Sequence, residues 1–132
     1  MQFPFLKIFR SQPGNIPEQV KTGLSMHFPD AINIDWEHKK YIYETVFYLN
    51  DVEHIAHFSK EGNLIEYKKN LWIEELPQII TDKCKKEGEI MNIIAINRGK
   101  NQFFEVIIRD LRLKRKLLLF DQSASLISSH KL

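Results

Sequence analysis

The chain has 132 residues, of which 43% are hydrophobic and nine are Phe, so it can form a substantial core and is not expected to be disordered. Its 19 basic and 17 acidic residues give a formal net charge of +2. This near balance argues against a nucleic-acid-binding domain, in which basic residues are typically numerous and clustered. The single Cys84 cannot form an internal disulfide. We therefore expect one compact domain that does not bind nucleic acid.

Residues 1–15 alternate loosely between apolar and polar side chains and end in the turn-forming run Ser11-Gln12-Pro13-Gly14, which predicts an N-terminal arm that is either extended or an added edge strand. Charged residues and a proline interrupt the apolar positions, so the arm lacks the apolar run of a secretory signal. No stretch of roughly 20 apolar residues predicts a membrane span. The chain as given is expected to be cytoplasmic, or exported to the periplasm if a leader is missing from it.

The next segment predicts a helix followed by four short strands. Pro17 suits the first turn of a helix over residues 16–28, and Val20, Leu24 and Phe28 form one apolar stripe along it. Alternating apolar and polar residues between polar turns then predict strands at 32–36, 41–49, 54–59 and 64–67, with residues 38–40 and Asn50-Asp51 as turns.

The rest of the chain resembles a second, degenerate copy of this unit. Leu76-Pro77 repeats Ile16-Pro17, and strands are predicted at 91–96, 103–109, 117–120 and 126–127. The matched pairs are Ile80 with Val20, Cys84 with Leu24, Phe104 with Tyr43, Glu105 with Glu44, Phe120 with Phe58 and Leu126 with Leu64. The predicted fold is therefore α+β. It has two tandem αββββ repeats, residues 16–70 and 71–132, with helices packed on one face of an antiparallel β-sheet.

The runs FPDAINIDW, YIYETVF and IAHFSKEGNLIE resemble the PepSY-like, β-lactamase-inhibitor-like (BLIP-like) family. Its members are similar in having a helix, a Phe-Pro-x-Ala exit, a Trp-containing strand and a Phe-x-x-x-Gly hairpin. The resemblance covers residues 16–130, although Gln122-Ser123-Ala124 replaces the usual glycine turn in the second copy. It implies antiparallel sheet packed on helices, usually in an exported protein without enzymatic activity. It does not carry β-lactamase inhibition over to this chain.

Residues that could carry chemistry have simpler structural explanations. His54 and His57 are three apart on a strand and point to opposite faces, so they cannot share a metal ion. Cys84 lies in the apolar helical stripe and is expected to be a buried hydrophobe. The basic run from Arg109 to Lys116 is expected to form a solvated hairpin. With no catalytic constellation and no phosphate-binding loop, we expect no metal, no cofactor and no enzymatic activity.

The two faces of the predicted sheet differ in a way that suggests a binding surface. We expect one set of alternating residues to face the helices, namely Tyr43, Thr45, Phe47, Ala56, Phe58, Phe104, Val106, Ile108, Leu118 and Phe120. The opposite face then carries Val46, Tyr48, Ile55, His57, Phe103, Ile107, Leu117 and Leu119. A solvated face should be mostly polar, and this one is only partly polar.

These residues predict a non-catalytic protein-binding module that uses the open sheet face, either with an unidentified protein partner or by self-association. The N-terminal arm could instead cover this face within the same chain, and periodicity does not separate the two alternatives. A second hypothesis is a small-molecule or lipid-like ligand held between helices and sheet, which would require a cavity. An enzyme is the third hypothesis, and no acid/base pair supports it.

Overall fold

The computed structural model describes residues 16–132, and the N-terminal arm predicted for residues 1–15 lies outside them. The described chain divides after Lys69 into two compact units. The first has helix α1 (Glu18–His27) and strands β1 (Ile32–Lys39), β2 (Ile42–Leu49), β3 (Val52–Phe58) and β4 (Leu64–Asn70), with the boundary at the end of β4. The second has a short 3-10 helix (Ile73–Glu75), α2 (Gln78–Lys85), β5 (Glu89–Arg98), β6 (Asn101–Arg109), β7 (Arg115–Asp121) and β8 (Leu126–Lys131).

In each unit the strands form an antiparallel meander in which neighbours along the chain are neighbours in the sheet. The α+β class predicted from the sequence is thereby confirmed. The elements differ from their predicted bounds mainly at the ends. Residues 38–40 were expected to be a turn, and this is wrong for His38 and Lys39, which lie in β1 opposite Tyr43 and Ile42. The His38 imidazole stacks on the Tyr43 ring at a centroid distance of 4.2 Å, and this contact favours a longer strand.

The core of the first unit lies between α1 and one face of its sheet. Val20 and Leu24 of α1 pack with Tyr43, Phe47, Ala56 and Phe58, and all six side chains are buried. Pro17 precedes α1 as its N-cap residue and does not lie inside its first turn as predicted. Its carbonyl oxygen accepts hydrogen bonds from the N–H groups of Val20 and Lys21, so proline still determines where the helix begins.

A close backbone approach holds α1 against the turn between β3 and β4. A Cβ atom added to Gly23 would collide with the carbonyl oxygen of Gly62, and one added to Gly62 would collide with that of Gln19. Gly62 also has a φ of +90°, which side-chain-bearing residues rarely adopt. Glycine at these two positions lets the helix and the turn touch through their backbones.

The second unit packs α2 on its sheet in the same manner. Leu76, Ile80 and Cys84 are buried against Phe104, Val106, Ile108, Leu118 and Phe120. The turn between β7 and β8 contains Ala124, with a φ of +69° and a buried methyl group. Here the helix reaches the turn through a side chain, since Lys83 Nζ donates to the Ala124 carbonyl oxygen at 2.6 Å.

We expect Lys83→Met to lower the free energy of unfolding by about 1–2 kcal/mol, because it removes a charged hydrogen bond to a backbone carbonyl and keeps the aliphatic stem. Urea denaturation followed by circular dichroism measures the change. Lys85→Met is the matched control, since Lys85 is exposed on the same helix. An equal loss of stability in both variants would contradict the assigned role of the Lys83 contact.

Candidate functional site

The structure confirms which residues face the helices. All ten predicted helix-side residues are buried, and nine of them belong to the two core clusters. The tenth, Thr45, is also buried and donates its hydroxyl to the Asp35 carbonyl oxygen at 2.9 Å. The other face of each sheet, here called the outer face, therefore carries the residues predicted to bind a partner. The two outer faces differ in chemistry.

The outer face of the first unit has a network of charged side chains. His57 Nε2 lies 2.8 Å from Glu44 Oε1, and His57 Nδ1 lies 3.6 Å from Glu66. Lys39 Nζ lies 3.3 Å from Glu44 and 3.9 Å from Glu37, so Glu44 has partners on both neighbouring strands. These residues come from β1 to β4, and only the strand register brings them together. The sequence analysis did not identify this network.

The four predicted binding residues of the first unit are therefore placed in a polar and partly closed environment. Val46 and Ile55 are only 9% and 5% exposed, although they point away from α1. The half-buried Tyr48 donates its hydroxyl to Glu53 at 2.9 Å, and the hydrogen bond and charge of Glu53 raise the pKa of the phenol. With His57 held by Glu44, this face offers little free apolar surface.

His54 and His57 point to opposite faces of β3, as predicted. The His54 ring stacks on Phe47 at 5.4 Å, on the helix side, whereas His57 joins the outer network. Burial lowers the pKa of His54, and the charge of Lys69 lowers it further, while a hydrogen bond with the Val52 carbonyl acts in the opposite sense. His54 is thus held neutral in the core, and the two rings cannot share a ligand.

The lowered pKa of His54 predicts that the stability of the fold depends on pH. Because the folded pKa of His54 lies below its usual 6.5, the unfolded chain binds the proton more readily, so stability is full above pH 6.5 and falls as the pH drops below it. We expect His54→Phe to reduce this loss in urea denaturation at pH 7.5 and pH 5. The control is His130→Gln, at an exposed position of β8. A loss in His54→Phe as large as in the wild type would contradict this account.

The outer face of the second unit is largely apolar. Phe103, Ile107, Leu117 and Leu119, the four residues predicted here, are half-buried and lie in cross-strand register on β6 and β7. The register of β5 adds the half-buried Ile94 opposite Glu105 and the buried Ile96 opposite Phe103, neither of which was predicted from the sequence. At the rim, the Arg98 guanidinium lies over the Phe103 ring at 5.4 Å from its centroid. We call this set the apolar patch: Ile94, Ile96, Phe103, Ile107, Leu117 and Leu119.

One acidic residue lies within the apolar patch. Glu105 is half-buried on β6, with Ile94 opposite it on β5 and Leu119 opposite it on β7. Within residues 16–132, no ion pair or hydrogen bond engages its carboxylate. A carboxylate partly removed from water normally has a partner that compensates its desolvation. The apolar patch therefore combines five half-buried apolar side chains and the buried Ile96 with one carboxylate that has no partner within residues 16–132.

The other candidate residues have structural roles. Cys84 is fully buried, and burial raises the pKa of its thiol to about 11, which makes it an unreactive core residue. The basic hairpin between β6 and β7 is ordered by Asp110, whose carboxylate accepts the N–H groups of Arg112 and Lys114, and these bonds lower its pKa. Over residues 16–132, no cluster of His, Cys, Asp or Glu is suited to a metal ion.

Among the helices that the structure describes, none has the length and hydrophobicity needed to cross a membrane.

Comparisons with known proteins identify the fold. No family model and no curated protein matches the sequence. A DUF2874 family protein from Bacteroides uniformis is 17% identical, with a TM-score of 0.77 over 87% of this chain and 88% of that one. A candidate periplasmic protein from Bacteroides eggerthii is 15% identical, with a TM-score of 0.78 over 89% and 90% of the two chains. A BLIP-like protein from Bacteroides fragilis is 18% identical, with a TM-score of 0.74 over 90% and 89%.

These similarities show that the chain has a BLIP-like fold, which the sequence resemblance implied. None of the three similar proteins is named as an enzyme. At these identities the comparison applies to the fold alone, so the function has to be argued from the two outer faces.

Proposed function

We propose that the protein is a non-catalytic protein-binding module whose partner packs on the apolar patch of the second unit. The observation that carries the proposal is a sheet face of six apolar side chains on the side opposite α2, of which Ile96 is buried and the other five keep part of their surface in contact with solvent. Exposed apolar patches commonly mark interaction sites. A typical partner would bury about 800 Å² on each side, with the apolar patch as the core of the contact and the charged turns as its rim.

The proposal assigns the contact to the second unit and not to the first. Val46 and Ile55 of the first unit are buried, whereas in the apolar patch only Ile96 is buried and the other five side chains are half-buried. Tyr48 and His57 already have polar partners. Burying the charged network beneath a partner would also require desolvating several ionised groups, which weakens association. The four residues of the first unit are therefore not part of the proposed contact.

Among residues 16–132, no observation supports the alternative of a ligand held between helix and sheet. The space between α1 and its sheet is filled by Phe47 and Phe58, and that between α2 and its sheet by Ile80, Ile108 and Phe120, all of them buried. Surface depressions of about 490 and 210 Å³ lie elsewhere, bordered by residues 85–89 with 109–113 and by residues 71–74 with 90–93. Both depressions are open to solvent, and although Leu71 and Ile93 at the edge of the second core border the smaller one, neither depression lies between α1 or α2 and its sheet.

We also propose that the chain arose by tandem duplication and that the protein is exported. The common order of one helix and four antiparallel strands in both units supports a tandem duplication, with repeats at residues 16–70 and 71–132. The resemblance to a candidate periplasmic protein supports export of the mature chain. Fractionation of cells that produce the protein naturally tests the second point, and recovery with cytoplasmic markers would contradict it.

Affinity capture tests the proposed function. Wild-type and Ile107→Lys chains are immobilised and exposed to extracts of the organism that produces the protein. The proposal predicts discrete proteins retained by the wild type and not by the variant. Size-exclusion chromatography with light scattering on both purified chains shows whether the partner is a second copy. Equal retention by both chains, together with an unchanged monomeric mass, would overturn the proposal.

A further inference from the structure

Glu105 provides a more specific prediction about the partner. On its own face it is surrounded by the six residues of the apolar patch, with Asn92 and Asp121 at the margin. Asp121 adds a second negative charge, and its carboxylate already accepts N–H groups from Ser123 and Ser125. No described side chain neutralises Glu105. The charge in the middle of the apolar patch is thus negative.

The first unit shows how a carboxylate at this position is neutralised within the chain. Glu44 occupies the corresponding place on β2, between Glu37 of β1 and His57 of β3. Its partners are Lys39, two residues beyond Glu37, and His57, which in turn contacts Glu66 of β4. All of these groups lie on the outer face, where they compensate the nearly complete burial of Glu44.

In the second unit the corresponding register positions carry other residues, while the carboxylate is present as Glu105. Ile94 lies opposite Glu105 where Glu37 lies opposite Glu44, and Ile96 stands two residues further, in the place of Lys39. Leu119 stands in the place of His57, and Ser128 stands opposite it in the place of Glu66. The second unit therefore keeps the acidic group, but apolar side chains occupy the positions where the first unit has Lys39 and His57.

We propose that the partner of the apolar patch presents a lysine or arginine side chain that pairs with Glu105, flanked by apolar side chains that pack on Ile94, Phe103 and Leu119. This inference rests on the proposed function and adds the chemistry of the partner to it. Contact with the apolar patch removes Glu105 from water, so a basic group on the partner is needed to compensate its desolvation, and losing either member of the pair leaves the other buried and unpaired. A partner with an acidic or neutral group at this point leaves Glu105 buried and unpaired, so it is rejected.

A displayed library of random peptides, used as the probe, tests this proposal on the full chain. Selection on the wild type is expected to enrich peptides with one Lys or Arg between apolar residues. These peptides are expected to bind Glu105→Gln at least about 30-fold more weakly, since the variant removes the charge and keeps the shape. Glu89→Gln is the control, because Glu89 lies at the end of β5 and pairs with Arg109. Equal enrichment of acidic and basic peptides would overturn the proposal.

A second variant separates a binding role from a structural one. Glu105→Leu removes an unpaired carboxylate from an apolar face, so its thermal unfolding midpoint is expected to rise while its binding of the basic peptides is lost. A fall in the midpoint would show that Glu105 is needed by the free fold, which would contradict the inference.

The outcomes also distinguish this inference from the proposed function. If Ile107→Lys abolishes binding of the selected peptides and Glu105→Gln does not, the apolar patch binds partners but the basic anchor is wrong. If neither substitution affects binding, the peptides bind elsewhere, and both the proposed function and this inference fail.

Discussion

Replacing Gly62 with alanine is expected to destabilise the protein by about 2–4 kcal/mol, a large part of the stability of an ordinary domain. The new methyl group would collide with the Gln19 carbonyl in α1, and the φ of +90° is unfavourable for alanine even without a neighbour. The collision cannot be relieved without separating the helix from the turn, and the unfavourable φ would remain even then. Urea denaturation followed by circular dichroism measures the change in the free energy of unfolding.

Gly99→Ala is the matched control for this prediction. Gly99 also has a positive φ, of +62°, but an added Cβ meets nothing within 4 Å. The control therefore isolates the backbone strain, for which we expect a loss of about 1 kcal/mol. If the two variants lose the same stability, the close approach of α1 to the β3–β4 turn contributes nothing and the packing described for the first unit is wrong.

Replacing Ile107 with lysine is expected to weaken binding to a captured partner by about 100-fold or more. The substitution places an ammonium group in the middle of the apolar patch, two residues from Glu105 on the same face, where it interrupts the apolar contact and repels the basic group proposed for the partner. In the free protein the lysine stem can lie along Leu117, which stands opposite it on β7, while the ammonium group reaches water. Folding should therefore be affected far less than binding.

Leu111→Lys makes the same change in charge at a fully exposed position in the turn between β6 and β7, outside the apolar patch. Its affinity for the partner should stay within about threefold of the wild type, because surface substitutions away from a contact usually have small effects. Isothermal titration calorimetry measures both variants, and thermal unfolding confirms that both are folded. Equal weakening by the two substitutions would mean that charge alone, and not the apolar patch, governs binding.

The alternation of side chains along single strands predicted the helix-facing residues correctly. On β6 every second residue from Phe104 to Ile108 is buried against α2, and this period is visible in the sequence. On β5 the run from Ile93 to Ile96 is entirely apolar, so it carries no alternation. For this reason Ile94 and Ile96 were found only through their register with β6.

The charged network of the first unit was not accessible from the sequence for a related reason. Glu44, His57 and Glu66 lie on three successive strands, and neither their spacing nor their type forms a recognisable motif. The turn lengths and the irregularity in register near Phe58 determine which residues face each other. Local periodicity assigns a residue to a face, whereas its neighbours on that face depend on pairing between strands.

The two outer faces differ in what surrounds their central carboxylate. The first unit pairs its central carboxylate with its own lysine and histidine, and the second unit surrounds the matching carboxylate with apolar side chains. The first arrangement stabilises a closed polar face, while the second leaves apolar area and charge for another molecule. The apolar patch is thus the surface on which the proposed function depends.

Site-specific photo-crosslinking in cells that produce the protein naturally tests this claim most directly. A photoreactive phenylalanine analogue is placed at Phe103 in the apolar patch or, as a control, at Tyr41, an exposed aromatic position between β1 and β2. The account predicts discrete protein adducts from position 103 that disappear when Ile107→Lys is added, and none from position 41. No adducts at position 103, or adducts that persist with Ile107→Lys, would contradict it.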